Sequence, residues 1–163
     1  MATFGVDLDG RRLPAPDDMR EIYEILTALE SIAAELVARR GLSDAEMARI
    51  EEAVADMEAA LERDDRTAWA AADERFHMLL VELSGNARLS ALVNTYYEQS
   101  HRARMITLFL RPVPTQSNID HAGVVDAIRR KDAEAARQIH RQHRVRSGQL
   151  LVDILKRCGL TQV

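Results

Sequence analysis

The sequence predicts an all-α protein, an antiparallel bundle of six or seven helices. Apolar residues recur at spacings of three and four along most of the 163 residues. The composition also favours helices, since the chain has only 7 glycines, 4 prolines and 4% aromatic residues. The segments between the apolar stripes are short, so consecutive helices should run in opposite directions and bury their stripes against each other.

Length and charge narrow the classes of function. A chain of this length fits one domain, and its 47% hydrophobic and 29% charged residues are close to globular averages. Apolar runs fall short of the roughly 18 residues of a membrane span, and the first residues lack a signal-peptide core. We therefore expect a cytoplasmic protein without membrane association. The net charge of −4 argues against direct contact with nucleic acid, because such domains usually carry a basic excess.

Capping and breaking residues divide the chain into elements. Residues 1–16 are without a helical period, which predicts a flexible lead-in or linker remnant before a domain at 17–159. The first helix should begin at Asp17 or Asp18 and end at Gly41. Its predicted apolar stripe is Ile22, Ile25, Leu26, Leu29, Ile32, Ala33, Leu36 and Val37.

Ser43 and Glu46 form a capping-box pattern that predicts the start of a second helix. Asp64 and Asp65 separate this helix from a third, which should end at Gly85. The predicted buried residues are Met47, Ile50, Val54, Met57 and Leu61 on the second helix and Trp69, Ala72, Phe76, Leu79, Leu80 and Leu83 on the third.

Asn86 predicts a fourth helix that reaches about Leu110, where two prolines follow closely. A fifth helix should cover about 117–130, and Asp132 should cap a sixth that ends near Gly159. The predicted apolar positions are Ile119, Val124, Val125 and Ile128 on the fifth helix and Ala136, Ile139, Val145, Leu150, Leu151, Ile154 and Leu155 on the sixth.

Sulfur-containing and basic side chains give further expectations. The lone cysteine, Cys158, cannot form an internal disulfide and is predicted to be buried or half-buried. Four methionines at core spacings are predicted to pack in the interior: Met47, Met57, Met78 and Met105. A basic run is predicted to be a solvated helix face or dimer rim: Arg129, Arg130, Lys131, Arg137, Arg141, Arg144 and Arg146.

Asp73 and His77 lie four residues apart on the predicted third helix, so both side chains project from the same face. A surface ion pair is the ordinary explanation of such a pair. These two residues, however, flank Phe76 on the apolar stripe and are expected to face the interior. A carboxylate oxygen and an imidazole nitrogen at this spacing can reach one metal ion.

Three further histidines can meet this pair inside the bundle. His121 lies on the predicted fifth helix, and His140 and His143 lie on the sixth. Spacing leaves open which of His140 and His143 points inward. It also leaves two interpretations open, a metal site or a set of hydrogen-bonded core histidines.

Three segments carry a resemblance that extends from about residue 18 to residue 151. They read EIYEILTALE at 21–30, AADERFHMLLVELSGN at 71–86 and DHAGVVDAIRRKDAEAARQIHRQH at 120–143. The second contains Asp-x-x-x-His followed by a Gly-Asn break, and the third has two histidines 22 residues apart, at 121 and 143. In these features the chain resembles the FCD domain, the ligand-sensing C-terminal domain of FadR-type regulators in the GntR superfamily.

The resemblance implies a metal-containing sensor domain and a set of ligands. The implied metal ligands are Asp73, His77, His121 and His143, whereas His140 lies at a position that usually does not bind the metal. Zinc or nickel is the expected metal, with manganese and iron as alternatives. In the family, the remaining coordination positions receive water or a small carboxylate effector, and the domains pair as homodimers. The sequence does not assign a role to His140 or His101.

Two departures from the family pattern keep other functions open. Family members often carry an arginine near the position of Leu26, where it can bind an effector carboxylate, so we expect Arg102 or Arg104 to supply that charge here. Family regulators also place a winged helix-turn-helix domain before this one, and this sequence has only irregular residues ahead of its first helix. It is expected to be either an excised sensor or a free-standing protein.

A free-standing bundle of this kind suggests a metal-dependent enzyme as the alternative function. An open divalent ion lowers the pKa of bound water and polarises carbonyl groups. His140 or Glu74 would then be candidate proton carriers. A third interpretation is a metal-free helical dimerisation module.

Overall fold

Six α-helices make up most of the computed structural model, which describes residues 15–158. A 3-10 turn at Leu108–Leu110 follows the fourth helix. The helices are α1 (Pro16–Arg40), α2 (Asp44–Glu62), α3 (Arg66–Leu83), α4 (Ala87–Thr107), α5 (Thr115–Arg129) and α6 (Ala133–Arg157). The predicted all-α bundle is therefore confirmed. Within the described residues, none of the helices is long and apolar enough to cross a bilayer.

Side-chain caps start the helices at the predicted residues. Ser43 and Glu46 form the reciprocal capping box of α2. The Asn86 side chain accepts a hydrogen bond from the Leu89 amide at the start of α4, and Asp132 does the same for α6. Gly41 ends α1 with a φ of 75°, a conformation that glycine adopts without steric cost.

Other boundaries differ from the predictions. Helix α1 begins at Pro16, with Ala15 as its N-cap and neither Asp17 nor Asp18 in that role, because proline fits the first helical position, where no N–H partner is needed. Helix α5 begins at Thr115, directly after a proline. Helix α4 ends at Thr107, and only the 3-10 turn continues to Leu110. The predicted lead-in falls mostly on residues 1–14, which lie outside the described residues, as does Gly159.

Three pairs of neighbouring helices run antiparallel, as their residue pairings show. Residue numbers rise along one helix as they fall along the other. For α1 and α6 the pairs are Tyr23–Gly148, Glu30–Arg144 and Glu35–Arg137. For α2 and α3 they are Arg49–Glu82 and Asp56–Arg75. For α5 and α6 they are His121–His143 and Gly123–Ile139.

The core consists of two apolar clusters. One is built mainly by α2, α3 and α5 and contains Phe76 and Met57. The other joins α1, α4 and α6 and contains Leu26 and Leu151. Buried polar side chains lie among these helices, and several of them carry the chemistry described below: Glu30, Asp73, His77, Arg104, His121, His140, His143 and Arg144.

Several residues predicted to be buried are instead exposed. Cys158 is exposed at the end of α6. The other predicted core residues that reach solvent are Ile25, Ile32, Met105, Ile119 and Val145. They lie outside the arc of buried residues on their helices, so the apolar spacing assigned them to the wrong face. Of the predicted basic face, Arg144 is buried, which corrects its assignment to the surface.

Candidate metal centre

Three helices bring Asp73, His77, His121 and His143 together in the interior. Helix α3 supplies the first two, α5 supplies His121 and α6 supplies His143. One oxygen or nitrogen atom from each residue lies within 4.8 Å of the corresponding atom of the others, and all four side chains are buried. Such a group could hold a metal ion, since two turns of α3 and two facing helices present mixed nitrogen and oxygen donors.

The atoms of these four side chains that face each other include oxygen and nitrogen atoms with lone pairs. The distance from Asp73 Oδ1 is 3.6 Å both to His77 Nε2 and to His121 Nε2, and His121 Nε2 is 3.2 Å from His143 Nε2. Among the described residues, Asp73 Oδ1 and His77 Nε2 have no hydrogen-bond partner. Buried polar atoms are normally paired. A cation among these donors would satisfy them together, so the residues present fit a divalent metal.

Glu30 on α1 orients His77 toward the group. The N–H at His77 Nδ1 donates to Glu30 Oε2 at 2.7 Å, which leaves Nε2 as the lone-pair nitrogen. His140 Nε2 donates to the same oxygen at 3.1 Å, and Arg144 Nη2 lies 3.2 Å from Glu30 Oε1. Sequence reasoning missed Glu30, although a charged residue within the apolar stripe of α1 was a signal that could have indicated it.

Asp120 on α5 orients the ring of His143 in the same way. The His143 Nδ1–H donates to Asp120 Oδ2 at 3.3 Å, so His143 Nε2 faces His121. Gln116 donates to the other oxygen of Asp120 at 3.0 Å, and Arg146 donates to Oδ2. Burial raises the pKa of Asp120, but these hydrogen bonds outweigh it and lower the pKa to about 2. Asp120 is therefore a charged acceptor at neutral pH.

Glu30, His77 and His140 form a second group whose atoms could hold a metal. The guanidinium of Arg144 beside Glu30 disfavours a second cation there. In addition, Glu30 Oε2 already accepts hydrogen bonds from both histidines. We therefore interpret this group as the support of the candidate metal centre, with His140 as a hydrogen-bonded core histidine.

Burial and neighbouring charges set the protonation of the centre. Burial raises the pKa of Glu30, but Arg144, His77 and His140 outweigh it and hold that pKa well below its usual value. Burial also raises the pKa of Asp73, but the nearby His77 and His121 outweigh burial and lower that pKa. Burial and the nearby His143 lower the pKa of His121. The centre therefore holds anionic carboxylates and a neutral His121, which suit a metal ligand set.

A cavity of about 160 Å³ opens beside the centre and is lined by Asp73 and His143. Arginines dominate its charged lining: Arg66, Arg104, Arg111, Arg144 and Arg146, against Asp73 and Asp120. Of the two arginines predicted to bind an effector, Arg104 lines this cavity, whereas Arg102 is half-exposed and is not part of the lining. The surplus of positive charge suits an anionic ligand.

The remaining histidine, His101, lies on the outer side of α4. Its side chain is about half exposed, and its Nδ1 is 3.5 Å from a carboxylate oxygen of Glu74. Helix α4 therefore brings His101 to a surface contact with Glu74 and not to the buried histidines.

Comparisons with known proteins agree with this architecture. The FCD domain model matches residues 21–146. The solved structure of a GntR protein from Streptococcus agalactiae superimposes with a TM-score of 0.68 at 25% identity, over 89% of this chain and 66% of that one. An uncharacterized HTH-type transcriptional regulator in the TAR-I ttuE-ttuC' intergenic region of Agrobacterium vitis is 47% identical over 72 residues, which cover 41% of this chain and 40% of the regulator.

The chain thus spans less than two thirds of the length of each of these two proteins. The family model, in contrast, covers most of this chain, including all four candidate ligands. The chain belongs to the FCD domain family.

Proposed function

We propose that this chain is the effector-sensing domain of a GntR-type transcriptional regulator and binds a small anionic metabolite at a divalent metal. The observation that carries the proposal is the convergence of unpaired Asp73 Oδ1 and His77 Nε2 with His121 and His143 beside a cavity rich in arginine. The family match and the regulator names of the two similar proteins support the regulatory role.

Asp73, His77, His121 and His143 would hold the metal through one oxygen and three nitrogen atoms. This donor set suits zinc or nickel, and manganese or iron are alternatives. A divalent ion bound there supplies a Lewis acid for a carboxylate oxygen of the effector. Glu30 and Asp120 keep the ring nitrogens of His77 and His143 directed at that position.

Of the two predicted effector-binding residues, Arg104 is the one that lines the cavity. It is buried, lines the cavity, and its Nη2 lies 3.7 Å from Asp73 Oδ2. It thus takes over the role expected of an arginine near Leu26, a residue that is fully buried in the apolar cluster of α1, α4 and α6. Arg102 remains a second candidate from the sequence.

Calorimetric titration of metal-loaded and chelator-treated protein with acetate, L-lactate and succinate tests the proposal. We expect binding of at least one acid by the loaded protein and loss of that binding after chelation. Arg104→Met should weaken the binding, and Arg102→Met shows whether the second arginine contributes. Equal binding with and without metal would contradict the proposal, and steady conversion of an acid to product would favour the metal-dependent enzyme.

A further inference from the structure

The cavity beside the candidate metal centre extends away from the charged residues along α3 and α4, which run antiparallel there. Arg104 Nη2 lies 3.7 Å from Asp73 Oδ2, and Arg66 Nη1 donates to the carbonyl oxygen of Arg111 at 3.2 Å. All four residues line the cavity. Residues that precede Asp73 on α3 and residues that follow Arg104 on α4 therefore lie at the same end of the cavity, which we call the outer end.

Both helices bring apolar side chains to the outer end. Trp69 comes four residues before Asp73, and Leu108 comes four residues after Arg104. Each is thus one helical turn, or about 6 Å, from the charged residue on its helix. Trp69 Nε1 donates to Asn118 Oδ1 at 2.8 Å, and this hydrogen bond holds the indole in the cavity wall.

Helix α6 and the loop before α5 complete the apolar wall. Asn118, which bonds to the indole, precedes His121 by three residues, so α5 begins at the outer end. Because α6 runs antiparallel to α5, residues that follow His143 extend toward the same end. Leu150, seven residues after His143, and Val113 in the loop both line the cavity. The cavity is therefore charged beside the metal centre and largely apolar at its outer end.

The two arginines at the outer end are engaged by the protein itself. Arg66 Nη1 donates to the carbonyl oxygen of Pro112 at 3.1 Å as well as to that of Arg111. The Arg111 side chain donates to Thr107 Oγ1 at 2.7 Å and to the Arg104 carbonyl at 3.3 Å. The outer end thus offers a ligand mainly apolar side chains, and burial of apolar surface favours binding.

We infer that the outer end binds an apolar group of the effector, so that the effector is an acid with one ring-sized apolar group. This inference rests on the proposed function, which supplies the site of the acid group at the metal. The cavity volume of about 160 Å³ sets the size of the apolar group. An apolar cavity of about 150 Å³ can hold benzene. There is therefore room for one ring, and a long alkyl chain would not fit.

Titration of the metal-loaded wild type with benzoate, cyclohexanecarboxylate and acetate tests the inference. The three acids carry the same charge and differ in the apolar group. We expect at least one ring acid to bind about tenfold or more tightly than acetate, because its ring leaves water for the apolar wall. The ring acid that binds more tightly identifies the apolar group as aromatic or saturated.

The alternative results separate this inference from the proposed function. Metal-dependent binding of acetate, without tighter binding of either ring acid, would overturn the inference and leave the proposed function standing. Equal binding of a ring acid with and without metal would contradict both. If none of the three acids binds, the inference is overturned, and titration with L-lactate and succinate decides the proposed function.

Paired variants locate the apolar group. Val113 and Leu110 are each 55% exposed in one segment, but Leu110 is not part of the cavity lining. Likewise on α6, half-buried Leu150 lines the cavity, whereas exposed Val145 does not. Polar amides at the outer end would lose hydration when a ring binds. The double variant Val113→Asn with Leu150→Asn should therefore lose most of the preference for the ring acid and keep the acetate affinity.

The matched control is the double variant Leu110→Asn with Val145→Asn, which makes the same kind of change outside the cavity. It should keep the wild-type ratio of ring-acid to acetate affinity. An unchanged ratio in the variant of Val113 and Leu150 would overturn the inference, as would an equal loss of preference in the control.

Discussion

His77 and His143 each have one ring nitrogen hydrogen-bonded to a carboxylate, so in the neutral ring the lone pair lies on the other nitrogen. Glu30 accepts from His77 at 2.7 Å, and Asp120 accepts from His143 at 3.3 Å. Such partners restrict the rotation of a ligand ring and raise its basicity. Part of the metal affinity is therefore expected to come from Glu30 and Asp120, which would not touch the metal.

Asp120→Asn tests this assignment. The amide keeps the shape of the side chain but loses the negative charge that polarises His143, so we expect metal affinity to fall by about tenfold or more. Competition with a chromophoric chelator measures the affinity. Asp126→Asn is the matched control, since Asp126 lies on the same helix in an exposed ion pair with Arg130. Equal affinities in all three proteins would contradict the role of Asp120.

The buried histidines predict how stability depends on pH. Burial lowers the pKa of His140 from 6.5 to about 4, and the pKa values of His121 and His143 are lowered as well. Between about pH 6.5 and 4 the unfolded chain therefore binds protons that the folded protein does not. The pKa of His77 is raised, which offsets part of this difference.

We expect the free energy of unfolding of chelator-treated protein to decrease as the pH falls from 6.5 to 4. Each histidine that stays neutral contributes up to about 1.4 kcal/mol per pH unit. Urea unfolding at a series of pH values measures this slope. His140→Gln should have a shallower slope than the wild type. Constant stability over this range would refute the prediction.

At the residue scale, the sequence and the family resemblance predicted the four side chains that lie together, but not the residues that form hydrogen bonds with them. Asp73 and His77 follow from helical spacing, since one turn places them on one face. The choice of His143 over His140 came from the family resemblance. Glu30, Asp120 and Arg144 were not predicted, because the pairing of a buried charge depends on which helix faces it, and local spacing does not contain that information.

At the level of elements, α1 and α6 come close together where Tyr23 packs on Gly148. A Cβ atom built on Gly148 would lie 2.7 Å from Tyr23 Cδ1. Contacts this short do not occur between real atoms, so a larger side chain would push the two helices apart. The same Tyr23 ring stacks on Arg144, so this contact also supports the cavity wall.

Gly148→Ala is therefore expected to destabilise the protein by about 1–3 kcal/mol, the usual cost of overpacking. Gly123→Ala is the matched control, because its Cβ would make ordinary contacts of 3.6 Å with Ile139 on a neighbouring helix. It should be neutral or stabilise by up to about 1 kcal/mol, since alanine favours helices. Chemical unfolding of both variants decides the point, and equal stability of the two would contradict the packing argument.

Helix boundaries were predictable where a side chain caps the helix. Ser43, Asn86 and Asp132 each bond the backbone locally, so the signal lies within a few residues of sequence. Helix α1 starts at Pro16 and helix α5 at Thr115, and neither start is capped by a side-chain hydrogen bond. Exposure of Ile119 and Val145 was also unpredictable, because it depends on how far neighbouring helices extend around each stripe.

At the scale of the whole molecule, we predict a homodimer, as the family resemblance implies. Large apolar side chains are exposed near the end of α4, including Phe109 at 70% and Leu110 at 55%. Exposed apolar patches commonly mark protein interfaces. Sedimentation equilibrium should give twice the chain mass of 18.3 kDa. A monomer across the micromolar range would show that the domain does not pair by itself.

We propose that one divalent metal binds between Asp73, His77, His121 and His143. The most direct test is the metal content, by inductively coupled plasma mass spectrometry, of tag-free wild type, His121→Ala and His101→Ala. We predict about one ion per chain in the wild type and in His101→Ala, and loss of the ion in His121→Ala. Metal-free wild type after dialysis against zinc, nickel and manganese would contradict the claim and leave a structural helical module.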